Sequence, residues 1–489
     1  MSQEVQIPEI GAGGLLRYAW RHLTSMSTAL ILLLLLGIAS IPGSVFPQRT
    51  QDPMAVRDMY KSSPELSRWM DRFYLFDVYG SPWFSSIYIL LFISLIGCVL
   101  PRSIEHFDAM RALPPTTPKN LSRMEFYSTW TASGKELERA RLWFKAQGFR
   151  VLEKDGAISA EKGFMRETGN LFFHLALILV LLGISFSSLF GMRGDAILNV
   201  GERFVNAPTS YDSLAYGKLY KEGKLKNFII TIDKFDATYN LVTSAPEDYT
   251  LNLTLQQGDL TRSEKHVIKV NSPLAIGNTK IYLQATGYSP VVTVRDSKGN
   301  VALQGPVPFL PQDANLRSIG AIKAPDADPQ VGFVGSFVPT YERSDGDGAI
   351  SAFPQALDPR LLLSVWSGDL GLDSGTPQSI YRIDTSSMSQ IGLKSLKPGE
   401  IFTYSTGSIT FEGYVQWVNL SIVEDSGKNF ALVGAIVAIA GLLASLFTRR
   451  RRIWVRVAGV VEVAGLAKNA APGLEQELEI FIRALKAGR

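Results

Sequence analysis

Four stretches of the chain contain no Asp, Glu, Lys or Arg for twenty residues or more, and they constrain the fold more than any other feature. A helix needs ~20 mostly apolar residues to cross the hydrocarbon core of a bilayer. The sequence therefore predicts an α-helical membrane protein with four transmembrane helices, at residues 27–46, 82–100, 169–190 and 429–447. Four spans exclude a fully soluble protein and a twelve-helix transporter. The single cysteine, Cys98, excludes a disulfide within the chain.

The distribution of basic residues predicts how the spans are threaded. Lys and Arg outnumber Asp and Glu by twelve to nine in 101–167 and by nine to four after residue 448, whereas 191–428 carries 21 basic and 25 acidic residues. Cytoplasmic segments carry the excess of Lys and Arg. We therefore expect three segments in the cytoplasm, 1–26, 101–168 and 448–489, and two segments outside, 47–81 and 191–428. A cleaved signal peptide is the alternative for the first span, because Arg17 and Arg21 precede it.

The last segment, 448–489, is predicted to be a basic cytoplasmic tail. It begins with Arg449–Arg452 directly at the predicted membrane edge, where attraction to anionic lipid is the simplest role. Because the membrane surface explains this charge, nucleic-acid binding is not expected. Apolar residues at helical spacing predict a short amphipathic helix over Gly473–Leu485.

The long segment 191–428 is predicted to be an all-β extracytoplasmic domain. Short β-branched and aromatic runs recur in it, among them Phe228–Phe235, His266–Val270 and Ser408–Val415, and turn sequences such as Asp345-Gly346-Asp347-Gly348 separate them. Several short strands at this spacing are typical of a sandwich or an open barrel.

His174 is the one histidine of four that lies well inside a predicted span. Asn170, Ser185 and Ser188 share its side of the helix, so this side should face a partner helix or a cavity rather than lipid. An ionisable side chain within a span is a functional candidate, and neutral imidazole is a preferred axial ligand of haem iron. A histidine that only hydrogen-bonds a neighbouring helix is the equally weighted alternative.

The other histidines and several absent motifs narrow the chemistry. His22 and His106 are predicted at a solvated membrane edge, and His266 on the surface of a strand. The chain has no C-x-x-C, which excludes a thiol–disulfide relay. It has no C-x-x-C-H, so it is not itself a c-type cytochrome. It also lacks a P-loop, a zinc-ligand cluster and a G-x-S-x-G element.

Five local strings, in order along residues 15–457, resemble the ResB family of cytochrome c biogenesis proteins. They are Ile41-Pro42-Gly43-Ser44-Val45-Phe46-Pro47-Gln48, Phe76-Asp77-Val78-Tyr79-Gly80-Ser81-Pro82-Trp83-Phe84, Gly169-Asn170-Leu171-Phe172-Phe173-His174, Val270-Asn271-Ser272-Pro273-Leu274 and the stretch from Gly427-Lys428-Asn429 to the arginine cluster. One position departs from the family pattern, because Ser272 stands where members tend to have histidine. If a histidine at that position handles haem in other family members, this chain lacks the side chain for that role.

The resemblance implies a subunit of the system II cytochrome c maturation complex, accessory to a haem lyase. Its partner would be a ResC (CcsA)-type membrane protein, which bears the tryptophan-rich haem-handling motif. The complex would carry haem b across the cytoplasmic membrane and present it to the Cys-x-x-Cys-His of apocytochrome c. The extracytoplasmic domain would dock the partner, the apocytochrome or a thioredoxin-like thiol reductase.

His174 matches the family's histidine in the third span, which is implicated as an axial ligand of haem. One histidine per chain leaves the second ligand to the partner, so the haem would be transient and shared. Asn170 is a further candidate for contact with haem, and Arg166 or Lys162 for binding its propionates. The rival hypothesis is a membrane-anchored extracytoplasmic binding or sensor protein without a cofactor.

Overall fold

The computed structural model describes residues 11–49, 53–258, 262–344, 348–372, 379–467 and 473–487. The chain divides into two compact units. The first unit consists of the residues up to Ser185 together with those from Gly427 onward, and the second unit is Phe186–Ser426.

The helices of the described residues include four that are long and apolar enough to cross a membrane, α2, α5, α7 and α8. The bounds in chain order are α1 Ala12–Leu23, α2 Met26–Val45, α3 Pro53–Ser62, α4 Pro64–Arg72, α5 Pro82–Arg111, α6 Glu136–Ala146, α7 Met165–Phe190, α8 Lys428–Phe447 and α9 Leu474–Lys486.

The strands of the described residues fall into five sheets. Those up to the middle of the second unit are β1 Phe126–Thr131, β2 Arg150–Lys154, β3 Ala157–Lys162, β4 Met192–Asn199, β5 Arg203–Val205, β6 Ser213–Tyr216, β7 Phe228–Tyr239, β8 Pro246–Gln257, β9 Ser263–Lys269, β10 Leu274–Ile276, β11 Thr279–Asp296 and β12 Val301–Pro306. The remainder are β13 Leu310–Pro311, β14 Ser318–Ala324, β15 Val331–Val338, β16 Tyr341–Ser344, β17 Gly348–Ser351, β18 Arg360–Ser367, β19 Ser389–Leu396, β20 Ile401–Tyr404, β21 Gly407–Glu424, β22 Arg451–Ala458 and β23 Val460–Ala467.

Two of the apolar helices begin at serine caps. The Ser25 side chain accepts a hydrogen bond from the backbone N–H of Thr28 at 3.2 Å, and Ser81 does the same for Phe84 at 3.2 Å. These bonds satisfy backbone donors that the first helical turn leaves without a partner. Helix α5 then continues through Pro101 to Arg111, well past the span end predicted at residue 100. The prediction marked the point where the sequence stops being apolar, whereas the helix ends where its backbone hydrogen bonds stop.

Small residues bring α7 and α8 into close contact. A Cβ atom built on Gly169 would lie 2.5 Å from the carbonyl oxygen of Gly441, and one on Gly183 would lie 2.7 Å from the backbone nitrogen of Ala431. Interfaces between transmembrane helices favour such residues because they let the backbones approach. Helix α5 is joined to α7 by Tyr88, whose hydroxyl donates to the carbonyl of Leu181 at 2.6 Å.

A mixed α/β domain, the loop–tail domain, is built from segments on both sides of α7, the second unit and α8. Its sheet has the order β1-β23-β22-β3-β2, and α6 and α9 cover its core, which contains Phe144, Ile158, Val455 and Phe481. Helix α9 corresponds to the helix predicted at Gly473–Leu485. The two strands that precede α9, β22 and β23, were not predicted from the sequence.

The arginine cluster after α8 leads into this sheet, because Arg451 and Arg452 begin β22. Its role at the lipid surface stays a prediction, but three of the four arginines have carboxylate partners within the protein. Arg450 and Arg452 both bind Glu161 of β3, at 2.5 and 2.8 Å, and Arg451 pairs with Glu477 of α9. The side chain of Glu161 is only 3% exposed. A buried carboxylate needs partners of opposite charge, and Arg450 and Arg452 provide them for Glu161 within the protein.

The second unit is β-rich, as predicted. Its seven-stranded sheet has the order β10-β11-β21-β4-β6, with β12 added to β11 and β20 to β21, and β11 and β21 are 18 residues long. The other sheets have the orders β13-β14-β15-β18-β19, β5-β7-β8-β9 and β16-β17. One core packs the seven-stranded sheet against the sheet from β13 to β19, and another packs it against the sheet from β5 to β9. The finer choice between sandwich and open barrel stays a prediction.

Candidate functional site

His174 lies on α7 with its imidazole half-buried. Its Nδ1 atom is 2.7 Å from the backbone carbonyl oxygen of Asn170, one turn earlier. Because a carbonyl oxygen only accepts hydrogen bonds, Nδ1 carries the proton of the neutral ring. The lone pair is then on Nε2. This is the arrangement in which second-shell bonding orients a histidine toward a metal.

His174 lines an apolar cleft of about 390 Å³ between α2, α5 and α7. The lining side chains are aliphatic for the most part, including Leu30 and Leu33 of α2, Leu91 and Leu95 of α5, and Leu177 and Leu181 of α7. An imidazole is thus presented to a space whose walls offer few other polar groups. Such a space suits a flat apolar ligand fixed by one coordinate bond.

A polar cleft of about 650 Å³ shares three lining residues with the apolar cleft, namely Arg102, Asn170 and Leu171. It is lined further by Arg166 and Glu167 of α7, by Glu105 and His106 of α5, and by Arg450. The two clefts therefore meet around the beginning of α7. One offers apolar walls, and the other offers three guanidinium groups.

An ion-pair network rigidifies one side of the polar cleft. Arg450 Nη1 donates to both carboxylate oxygens of Glu167, at 2.9 and 3.0 Å, in addition to its contact with Glu161. His106 lies between Glu167, 3.5 Å from Nδ1, and Thr168, whose hydroxyl is 2.9 Å from Nε2. This network ties the loop–tail domain to the first turn of α7.

The structure brings three of the predicted site residues together and separates the fourth from them. His174 lines the apolar cleft, Arg166 lines the polar cleft, and Asn170 lines both. Lys162 does not belong with them. Its ammonium group donates to the carbonyl of Gln147 at 2.6 Å and lies over the Phe149 ring, because it ends strand β3 on the exposed side of the loop–tail domain.

The remaining histidines differ in their surroundings. His22 is exposed and its ring lies against Tyr18. Its position at a solvated membrane edge stays a prediction. The side chain of His106 is only 9% exposed, so the prediction of a solvated position was wrong. The extension of α5 beyond Pro101 packs this ring against α7. The His266 side chain is 31% exposed, with Nε2 3.6 Å from Glu264.

Sequence reasoning missed the sulfur-containing and charged side chains of the apolar cleft, which belong to Met26, Cys98 and Arg102. The signal for Arg102 was its place directly after Pro101. A helix that continued through this proline would keep Arg102 on the face of α5 that turns toward α7, whereas a span ending at residue 100 would release it into a loop.

Comparison with known proteins assigns the chain to a family. The sequence model of the ResB-like family matches residues 26–479. The chain is 25% identical over 489 residues to the cytochrome c biogenesis protein CcsB of Paulinella chromatophora. This alignment covers 96% of this chain and 99% of that protein. The chain is 24% identical over 496 residues to the cytochrome c biogenesis protein ResB of Bacillus subtilis (strain 168), covering 95% and 86%. A CcsB of Synechococcus sp. (strain WH7803) is 28% identical over 304 residues, covering 59% and 65%. Because the family match runs from the start of α2 into α9, the chain belongs to the ResB-like family.

Proposed function

We propose that this protein is a subunit of the system II cytochrome c maturation complex and helps to carry haem b across the cytoplasmic membrane to apocytochrome c. Relatives that match nearly the whole chain are named cytochrome c biogenesis proteins. The observation that carries the proposal is His174, whose Nδ1–H is held by the Asn170 carbonyl while Nε2 retains its lone pair. This imidazole borders an apolar cleft among the membrane helices.

The residues present fit a haem group. The volume of the apolar cleft lies within the ~300–1,000 Å³ typical of cofactor sites, and its aliphatic walls match the porphyrin faces. Haem bound there would supply the iron and the vinyl groups that a c-type cytochrome requires. The chain itself would supply the axial nitrogen of His174, the apolar walls that exclude water, and the Arg166 guanidinium for a propionate.

The proposal assigns the second axial ligand to a partner subunit of the ResC (CcsA) type. Among the described residues that line the apolar cleft, His174 is the one histidine, so one imidazole is what this chain brings to the cleft. The polar cleft would then face the cytoplasm. The second unit would lie outside, where it would dock the partner, apocytochrome c or a thioredoxin-like reductase.

The test is the absorption spectrum of the two-protein complex, purified after coexpression. The wild-type complex should show a Soret band, and the His174→Ala variant should lose most of it while the complex stays assembled. His22→Ala and His266→Ala serve as controls, since these rings lie outside the cleft. An unchanged haem content in His174→Ala would refute the ligand assignment. A colourless wild-type complex would favour the rival reading, a binding or sensor protein without a cofactor.

A further inference from the structure

Arg102 occupies the boundary between the two clefts. It lines the apolar cleft together with His174 and the polar cleft together with Arg166. It is also the first charged residue on α5 after the apolar part of that helix. Its guanidinium therefore lies where an apolar ligand held by His174 would emerge into polar surroundings.

Among the residues that the structure describes, Arg102 has no counter-ion. Its Nη1 atom donates to Met26 Sδ, and a thioether is a weak, neutral acceptor. Within the part of the chain that the structure describes, no carboxylate oxygen lies within 4.0 Å of Arg102, although Glu105 follows one turn later and lines the same cleft. Arg450, by comparison, is bound by two carboxylates.

We propose that Arg102 binds a carboxylate of the cleft's ligand, namely one propionate of the haem whose iron His174 holds. This inference rests on the proposed function. A porphyrin carries both carboxylates on one edge, and leaving an ionised carboxylate among aliphatic walls is costly. The planar guanidinium offers two parallel N–H donors to a carboxylate, which fixes orientation as well as charge. Arg102 is thus a positioning residue that sets which edge of the ring points toward the polar cleft.

The same guanidinium chemistry would also suit a lipid phosphate, because long basic side chains near helix ends extend toward headgroups. Both ligands are oxyanions, so the test must separate them. Haem and its dimethyl ester have the same ring and iron but differ in the charge of the propionates. Only the propionate assignment makes the effect of Arg102 depend on that difference.

The experiment titrates the haem-depleted complex, in nanodiscs, with haem and with haem dimethyl ester, following the Soret band. The Arg102→Gln variant should bind haem about tenfold to a hundredfold more weakly than wild type, the range expected for a charge-assisted hydrogen bond. It should bind the ester as well as wild type does. Arg111→Gln is the matched control, since Arg111 is on the same helix but lies over the Phe107 ring.

Two results would overturn the assignment of Arg102. Either Arg102→Gln binds haem as tightly as wild type, or it weakens haem and ester equally, which indicates a lipid contact or a packing role. Failure of the proposed function is distinguishable from both. In that case the Soret band of neither compound shifts when the compound is added to the wild-type complex, and both proposals are overturned together.

Discussion

The Oε1 atom of Glu161 lies 2.5 Å from Nε of Arg450, although 289 residues separate the two along the chain. Glu161 lies in β3, the last strand of the loop–tail sheet before α7, and Arg450 lies between α8 and β22. This ion pair therefore joins the two halves of a domain whose sequence is interrupted by two membrane helices and the whole second unit.

Removing the charge of Glu161 should destabilise the loop–tail domain. Glu161→Gln leaves Arg450 and Arg452 without their shared carboxylate, and breaking a buried ion pair costs about 3–5 kcal/mol. The measurement is thermal unfolding of the full chain in detergent, followed by tryptophan fluorescence. Glu153→Gln is the control, because its pair with Arg141 is about half exposed on both sides and should contribute no more than ~1 kcal/mol. Equal losses in the two variants would contradict the structural role of Glu161.

The carboxylate of Glu136 should give the same domain an acid-sensitive contribution to stability. Hydrogen bonds from Ser133, first its side chain and then its backbone N–H, with another from the Gly134 N–H, lower the pKa of Glu136 from its ordinary value to about 2. A depressed pKa stabilises the fold above the unfolded pKa of ~4.3, and this contribution is lost as pH falls toward 2. Glu136→Gln should therefore be less stable than wild type at pH 7, with the difference shrinking below about pH 4.

Thermal unfolding at a series of pH values measures that difference. Glu138→Gln on the same helix is the control, since Glu138 is exposed. If the difference in stability between Glu136→Gln and wild type stayed constant from pH 7 to 3, it would not arise from the lowered pKa of Glu136.

Enlarging Gly441 should separate α7 from α8. A Cβ atom at this position would lie 2.7 Å from the Gly169 carbonyl oxygen, so Gly441→Leu forces the two backbones apart. We expect a lower melting temperature in detergent and less haem retained by the complex, since α7 carries His174. Gly37→Leu on α2 should be nearly neutral, because apart from the adjacent backbone of its own helix no heavy atom of the described residues lies within 4 Å of the corresponding Cβ. Similar behaviour of the two variants would show that this close approach is not needed.

Trp417 should be important for the stability of the second unit. It is 2% exposed, and its Nε1–H donates to the carbonyls of Tyr288 at 3.2 Å and Phe309 at 3.1 Å. Trp417→Phe leaves two buried carbonyls without this donor, at a cost of about 1–3 kcal/mol. Denaturant unfolding of the full chain measures the loss. Trp366→Phe is the matched control, since the half-buried Trp366 donates only to the nearby Ser364 hydroxyl and should lose less.

The membrane helices were predictable because a charge-free run of this length has few other uses in a protein. Their ends were less so. Hydropathy reports the apolar part of α5, and only the backbone hydrogen bonds beyond Pro101 carry the helix to Arg111. For this reason the prediction for His106 was wrong and Arg102 was missed. The residues His174, Asn170 and Arg166 were found, because they lie within or next to the apolar run of α7.

The loop–tail domain was missed for a different physical reason. Its sheet pairs β3 with β22 and β1 with β23, so its register depends on contacts between distant segments that no local pattern encodes. The apolar residues Ile453, Trp454 and Val455 of β22 directly follow four successive arginines, which on their own indicate a membrane surface. The buried Glu161 that binds them is an ordinary surface residue by sequence.

The second unit has both of its ends side by side. Within it, Met192 pairs with Glu424, and in the first unit a Cβ on Gly183 would lie 2.9 Å from the Gly427 carbonyl oxygen. Because the chain enters and leaves the second unit at neighbouring points, a short linker could replace this unit and still connect α7 to α8. Insertions, deletions or replacements within this unit can therefore leave the packing of α7 against α8 unchanged.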